Sequence, residues 1–315
     1  MTGSRPILAI GGPTATGKTV LAVELATRIG GELVNADSRQ VVRRLFAGTA
    51  TPTAAELRGV PCHLLGLREP GEPYTVAQWL DDARGALADL DARGVPAVLV
   101  GGTGQYLRAL REGWDFGGVP PLAEDRAGMT AVAATPEGLR QLAGELRERD
   151  PQAAATVDLA NPRRVIRAVE QLRAGRGSLA ETRRRSGGQE LVLVVLDADR
   201  DLHAKVLAAR LEAMFAPGAI LAEVAAELTS GTGAATLSRA GIGYREAVDV
   251  VQGRATVEEA RARAAQRTRR YVKAQRTWFR HEAAELRLER TAGATTEALA
   301  DEVLSGLPTL DGWRR

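Results

Sequence analysis

The stretch Gly12-Pro13-Thr14-Ala15-Thr16-Gly17-Lys18-Thr19 decides how this chain folds. It fits the pattern G-x-x-x-x-G-K-[ST]. An apolar run, Ile7-Leu8-Ala9-Ile10, precedes it, and a helix-like segment, Val20-Leu21-Ala22-Val23-Glu24-Leu25-Ala26, follows. Strand, glycine-rich loop and helix in that order make a phosphate cradle. The glycines let the backbone turn so that several N–H groups point inward, and the helix start adds the positive end of its dipole. Gly12, Pro13, Thr14, Ala15, Thr16 and Gly17 are thus the expected lining. Lys18 brings a mobile charge to phosphate oxygens, and the Thr19 hydroxyl can hold Mg²⁺. The match is selective, because arginine supplies 39 of the 42 Lys+Arg and the only lysines are Lys18, Lys205 and Lys273. The loop alone does not say which phosphate compound it grips, or whether a phosphoryl group moves.

Around the loop the chain alternates strand and helix. A strand at Glu32–Asn35 ends at Asp37-Ser38, a helix near Thr75–Ala92 follows, and a strand at Ala97–Val100 ends in Gly101-Gly102-Thr103-Gly104 before a short helix, Gln105–Arg111. From Gly113 to Gly188 the pattern is helical (Pro136–Arg149, Pro162–Arg173) after a linker-like Gly117–Pro121. The run Leu191–Asp197 then returns as a buried strand, and the remainder reads as mostly helical. The chain is therefore expected to be α/β. A P-loop NTPase-like parallel sheet core (residues 1–112 and 191–315) is interrupted by a helical insertion domain (residues 113–190). Parallel strands put ligands at their carboxyl ends, where the loop, Asp37 and Thr103 converge.

Composition narrows the function classes. The 315 residues are 44% apolar with a net charge of +3, enough for a full core and too little charge for a polycation. A single cysteine, Cys62, excludes an internal disulfide framework and suits a reducing cytoplasm. Three scattered histidines argue against a histidine metal site. No apolar run is long enough to span a membrane, and no signal peptide is recognisable. With no coiled-coil seam, a monomer is expected. Two arginine clusters stand out: Arg163–Arg185 and Arg261–Arg280, the latter without an acid. They read as local polyanion sites or as solvated helix faces. Tyr271, Trp278 and Phe279 interleave the second cluster in a way that suits base stacking. However, the seven-residue spacing of Tyr271/Trp278 and of Val272/Phe279 favours a core face.

Hydrolytic P-loop enzymes carry an acid at the end of a second strand. Here that strand ends in Gly-Gly-Thr, and the nearest strand-end acid is Asp37. Asp37 can hold Mg²⁺, take a proton from a nucleophile beside the phosphates, or cap a helix over Ser38–Arg43.

Several phrases together resemble the tRNA dimethylallyltransferase (tRNA isopentenyltransferase) family. They are Gly12–Thr19, Asn-Ala-Asp-Ser-Arg-Gln (35–40), Gly-Thr-Ala-Thr-Pro (48–52), Gly-Val-Pro-Cys-His-Leu-Leu (59–65) and Pro-Tyr-Thr-Val-Ala-Gln-Trp (73–79). Further on come Val-Gly-Gly-Thr-Gly-Gln-Tyr (100–106), Asn-Pro-Arg-Arg-Val-Ile-Arg-Ala-Val-Glu (161–170), Gly-Ile-Gly-Tyr-Arg-Glu (241–246) and Lys-Ala-Gln-Arg-Thr-Trp-Phe-Arg (273–280). The resemblance implies transfer of a dimethylallyl group from its diphosphate to the N6 amine of the adenosine 3′-adjacent to the anticodon in tRNA. The cradle then grips a diphosphate leaving group with Mg²⁺, aided by Arg239. Asp37 accepts the amine proton, Thr103 sits near the reacting centre, and Ser38, Arg39 and Gln40 contact the tRNA. Arg126 and the run Arg163, Arg164, Val165, Ile166 and Arg167 are the implied contacts of the insertion with the anticodon stem-loop.

The chain departs from the family at Val42 (usually Tyr), Thr51 (Lys), Cys62 (His), Gln105 (Leu) and Ala274 (Arg). None of these touches the cradle or Asp37. Alternative readings are an adenosine-nucleotide isopentenyltransferase, a P-loop kinase or NTPase, and a non-catalytic RNA-binding homologue.

Overall fold

The computed structural model describes residues 6–114, 123–173 and 188–308. The chain forms two compact units, one of residues Met1–Arg111 with Gln189–Arg315 and one of Glu112–Gly188.

The first unit begins with β1 (Ile7–Gly11), α1 (Lys18–Ile29), β2 (Glu32–Asn35), α2 (Ala54–Leu57), β3 (Cys62–His63), α3 (Val76–Ala92), β4 (Ala97–Val100) and α4 (Gly104–Glu112). The second unit holds α5 (Ala123–Val132), α6 (Pro136–Arg149), α7 (Pro151–Thr156) and α8 (Pro162–Arg173). The chain returns to the first unit with β5 (Leu191–Ala198), α9 (Arg200–Met214), α10 (Ile220–Thr229), α11 (Ala234–Ala240), α12 (Tyr244–Val251), α13 (Val257–Arg280), β6 (Leu286–Arg290) and α14 (Thr296–Gly306). The strands form one parallel sheet in the order β3-β2-β4-β1-β5-β6, which is the expected α/β, P-loop NTPase-like core.

The central strands β1 and β4, and β5 up to Leu196, are unbroken apolar runs, as strands covered on both faces must be. Ile10, Leu21, Leu25, Val100, Val194 and Leu196 meet in the main core. Strands β3 and β6 and helices α2, α5, α7, α11 and α14 go beyond the ranges read from the sequence. β3 has only two residues. β6 alternates Leu and charge, as a sheet edge does, and only Leu288 is buried. α14 packs on α1, where Leu299, Ala300 and Val303 join the same core. The helix considered over Ser38–Arg43 does not form, since residues 38–50 run through turns.

In the second unit, Met129, Leu142, Leu146, Val165 and Val169 make a separate core. Asn161 opens α8, accepting the Arg163 and Arg164 N–H groups at 3.1 and 3.4 Å, with Pro162 behind it at the position where a missing N–H is harmless. Gly117–Pro121 and Arg176, Arg183, Arg184 and Arg185 lie outside the described residues. Among the described residues no helix is long and apolar enough to cross a membrane.

Candidate active site

The cradle leaves the carboxyl end of β1. Gly12 sits at φ 137°, and a Cβ there would lie 2.1 Å from the Leu196 carbonyl oxygen, so the turn requires glycine. Ala15 takes the left-handed region at φ 63°, a strain of about 1 kcal/mol that an L-residue rarely carries outside functional loops. Gly17 opens α1 without a side-chain cap, which leaves first-turn N–H groups to an anion. The buried Thr16 donates to the Pro13 carbonyl at 3.0 Å. Lys18 Nζ donates to the same oxygen at 2.5 Å. Burial pushes the Lys18 pKa down to about 8, with Asp37 and Asp197 opposing and Arg210 adding to the shift.

Thr14 is held at all three of its polar groups. Its N–H donates to Gln275 Oε1 at 2.9 Å, its carbonyl accepts from His203 Nε2 at 2.8 Å, and its hydroxyl accepts from Arg210 Nη1 at 2.6 Å. Burial lowers the His203 pKa below its ordinary value, with the Thr14 carbonyl opposing. Its Nδ1 accepts from Arg276, which also forks onto Asp197 at the end of β5 at 2.9 to 3.1 Å. Burial pulls the Arg210 pKa below the usual guanidinium range, with Asp37 and Tyr271 opposing.

The second loop follows β2. Trp79 on α3 donates to the Asn35 carbonyl at 2.9 Å and stacks on Tyr106, centroids 4.4 Å apart. Asn35 then braces the turn, accepting the Asp37 N–H at 3.0 Å and donating to the Asp37 and Leu64 carbonyls at 3.1 Å. Asp37 Oδ1 accepts the Arg39 N–H at 2.9 Å, an Asx turn in place of a helix cap. Its Oδ2 faces Gly102: a Cβ there would be 3.7 Å from it. Thr103 accepts the Ser38 N–H at 3.0 Å and donates to the Ser38 hydroxyl at 3.3 Å. Its own N–H donates to the Ala36 carbonyl at 3.2 Å. Ser38 and Thr103 are therefore bonded directly to each other, and Asp37 precedes Ser38 in the same turn. Asp37 also bears electrostatically on Lys18, Arg210, Tyr106 and Tyr271.

Other expected site residues are placed differently. Arg39 donates to the carbonyls of Arg239 and Ala240 at 3.1 and 3.2 Å, and Gln40 to that of Ala50 at 2.9 Å, so both side chains shape the loop. The Arg239 side chain is exposed at the end of α11. Arg210 reaches the cradle through the Thr14 hydroxyl. Val165 and Ile166 are buried in the core of the second unit, so within the run 163–167 it is the arginine side chains that are left for a tRNA contact. Arg126 forks onto the buried Glu170 at 2.6 and 2.9 Å, and Arg167 reaches it at 3.4 Å. Arg163 and Arg164 face solvent. On α13, Val272 and Phe279 are core, Trp278 lies under the Arg108 guanidinium at 4.4 Å, and Tyr271 is 39% exposed. The core reading thus holds for the Val272/Phe279 pair and fails for Tyr271. Arg210, His203 and Gln275 escaped the sequence reading because they reach Thr14 across 196, 189 and 261 positions.

The donor chemistry at Thr19 fits Mg²⁺. Its half-buried hydroxyl stands beside Lys18 in the first turn of α1, and the oxygen donors of Asp37 and Asp197 are within electrostatic reach of Lys18. No cluster of three or more His, Cys, Asp or Glu able to hold a metal occurs among the described residues. Mg²⁺ suits such a place, since it keeps waters and binds mainly through substrate phosphates.

The chain matches the family described as IPP transferase over residues 40–282 and that described as isopentenyl transferase over residues 6–68. It is 41% identical over 276 residues to the tRNA dimethylallyltransferase of Roseiflexus castenholzii, covering 87% of this chain and 90% of that one. To that of Anaeromyxobacter dehalogenans it is 43% identical over 281 residues, covering 88% and 92%. Among solved structures, the full-length tRNA isopentenylpyrophosphate transferase of Bacillus halodurans superposes with a TM-score of 0.69 at 33% identity, covering 96% of each chain. A eukaryotic dimethylallyltransferase acting on tRNA shares the fold at a TM-score of 0.76, with 21% identity over 97% of this chain and 81% of that one. With a cradle of this geometry, a braced carboxylate at the neighbouring strand end and matches over most of its length, the chain belongs to the IPP transferase family.

Proposed function

We propose that this protein transfers a dimethylallyl group from dimethylallyl diphosphate to the N6 amine of the adenosine 3′-adjacent to the anticodon in tRNA, releasing diphosphate. The observation that carries this reading is the placement of the Asp37 carboxylate, which faces Gly102, the residue that Gln275 ties to Thr14 of the cradle. A proton acceptor thereby stands beside an anion cradle whose second strand end is Gly-Gly-Thr. As the allylic C–O bond breaks, its electron pair leaves with the diphosphate. Lys18, the N–H groups at the start of α1 and Arg210 stabilise that charge. The amine nitrogen forms the new C–N bond and gives its proton to Asp37, whose orientation the Arg39 N–H fixes. Mg²⁺ held by the Thr19 hydroxyl would further neutralise the diphosphate. The exposed Arg163 and Arg164, with the partly exposed Arg126 and Arg167, are suited to RNA phosphates. Our reading has the protein working as a monomer in the cytoplasm.

The test is incubation with Mg²⁺, dimethylallyl diphosphate and unmodified tRNA, followed by nucleoside mass spectrometry. One adenosine in the anticodon loop should gain a dimethylallyl group, and Asp37→Asn should slow transfer about 100-fold while still binding inorganic diphosphate. AMP in place of tRNA should be a poor acceptor, and ATP should release no phosphate. Failure of the adenosine to gain mass, beside an active control enzyme, overturns the reading.

A further inference from the structure

Gln275, 5% exposed on α13, joins the two loops. Its Oε1 accepts the Thr14 N–H of the cradle at 2.9 Å, and its Nε2 donates to the Gly102 carbonyl at 3.0 Å. The amide orientation follows from its partners, because only oxygen can face an N–H and only nitrogen a carbonyl. Gly102 is closely approached by Gln275 and stands next to the Asp37 carboxylate. A Cβ on it would lie 2.4 Å from Gln275 Nε2 and 3.7 Å from Asp37 Oδ2. Thr103, next along, holds Ser38. A continuous path thus runs from Thr14 through Gln275, Gly102 and Thr103 to the Asp37 turn. We propose that Gln275 is a positioning residue for the transfer proposed above, setting the spacing between the donor cradle and the acceptor loop.

Other side chains hold α13 in place. Val272 and Phe279 anchor the helix in the core, and Arg276 ties it to Asp197 and His203. Removing the amide should therefore free the two loops from each other and leave the helix in place. Leu keeps the bulk and loses both hydrogen bonds. Glu keeps the size but sets a carboxylate oxygen against the Gly102 carbonyl. Transfer between two bound reactants is sensitive to such spacing, since a misplacement of about 1 Å can cost on the order of 100-fold.

The experiment compares wild type, Gln275→Leu and Gln275→Glu as full chains. Thr268→Ala serves as a control on the same helix, because the buried Thr268 hydroxyl donates to the Ala264 carbonyl of its own helix. For both Gln275 variants kcat should fall at least tenfold, while the inhibition constant of inorganic diphosphate and the KM for tRNA stay within threefold. Thr268→Ala should keep kcat. In wild type, diphosphate with Mg²⁺ should slow amide exchange in residues 101–104 as well as 12–19. In the Gln275 variants that protection should stop at the cradle. Unchanged kcat, protection that still reaches residues 101–104, or failure of both variants to fold would overturn the proposal. A wild type that shows the coupled protection but transfers nothing would overturn the functional reading and leave this one standing.

Discussion

Lys18 carries its charge in the folded protein against the pull of burial. Its pKa is lowered from 10.5 to about 8. A lysine depressed in this way weakens the fold while both states are charged, and that penalty fades once the folded form can shed its proton. Stability should therefore rise between pH 8 and 10.5 relative to a Lys18→Met variant, and the difference should be flat below pH 7. Urea unfolding of the two proteins across that range measures it. The lysine itself was legible in the sequence because four fixed positions announce it. Its neighbours were not. Arg210 and Gln275 meet Thr14 only after the sheet and two helices have assembled, and no local pattern marks an arginine or a glutamine for that purpose. Asp37 was legible as a strand-end acid. That it would turn on itself through Asn35 and the Arg39 N–H, with no helix behind it, was settled by the bracing from Trp79 and Thr103.

At the scale of elements, α8 shows how one run of residues serves two purposes. Val165, Ala168 and Val169 face its core, Arg163 and Arg164 face solvent, and Glu170 lies between. The Glu170 carboxylate is nearly enclosed, while its partners Arg126 and Arg167 are half-exposed. Replacing Glu170 by Gln should lower the stability of the second unit by about 1–3 kcal/mol, less than a fully buried pair would lose. Hydrogen exchange should accelerate across residues 123–173 and stay unchanged in the sheet. Elements with a strong pattern were readable: β1, β4 and most of β5 as apolar runs, and α3 and α13, which open at capping boxes at Thr75 and Thr256. β3 and β6 were not. Two residues carry no period, and the alternation of Leu with charge in β6 becomes a strand only because the edge of β5 pairs with it.

In the whole molecule, the chain leaves the first unit and returns to it at nearly the same place. The Gln189 N–H donates to the Leu110 carbonyl at 3.2 Å, so residues 112–188 form a closed excursion with its own core. Replacing them by a short Gly/Ser linker should leave a chain that folds and binds inorganic diphosphate but modifies no tRNA. Circular dichroism, calorimetry and the nucleoside assay would report the three results. This excursion also sets an order of events during synthesis. β1 pairs with β4 on one side and with β5 on the other, and the whole second unit is made between those two partners. At about 5–20 residues per second, the open side of β1 waits several seconds on the ribosome while the excursion emerges and can collapse on its own. For that interval the apolar edge Ile7-Leu8-Ala9-Ile10 is the part of the nascent chain most open to a stray strand, and the natural target for a chaperone that holds it.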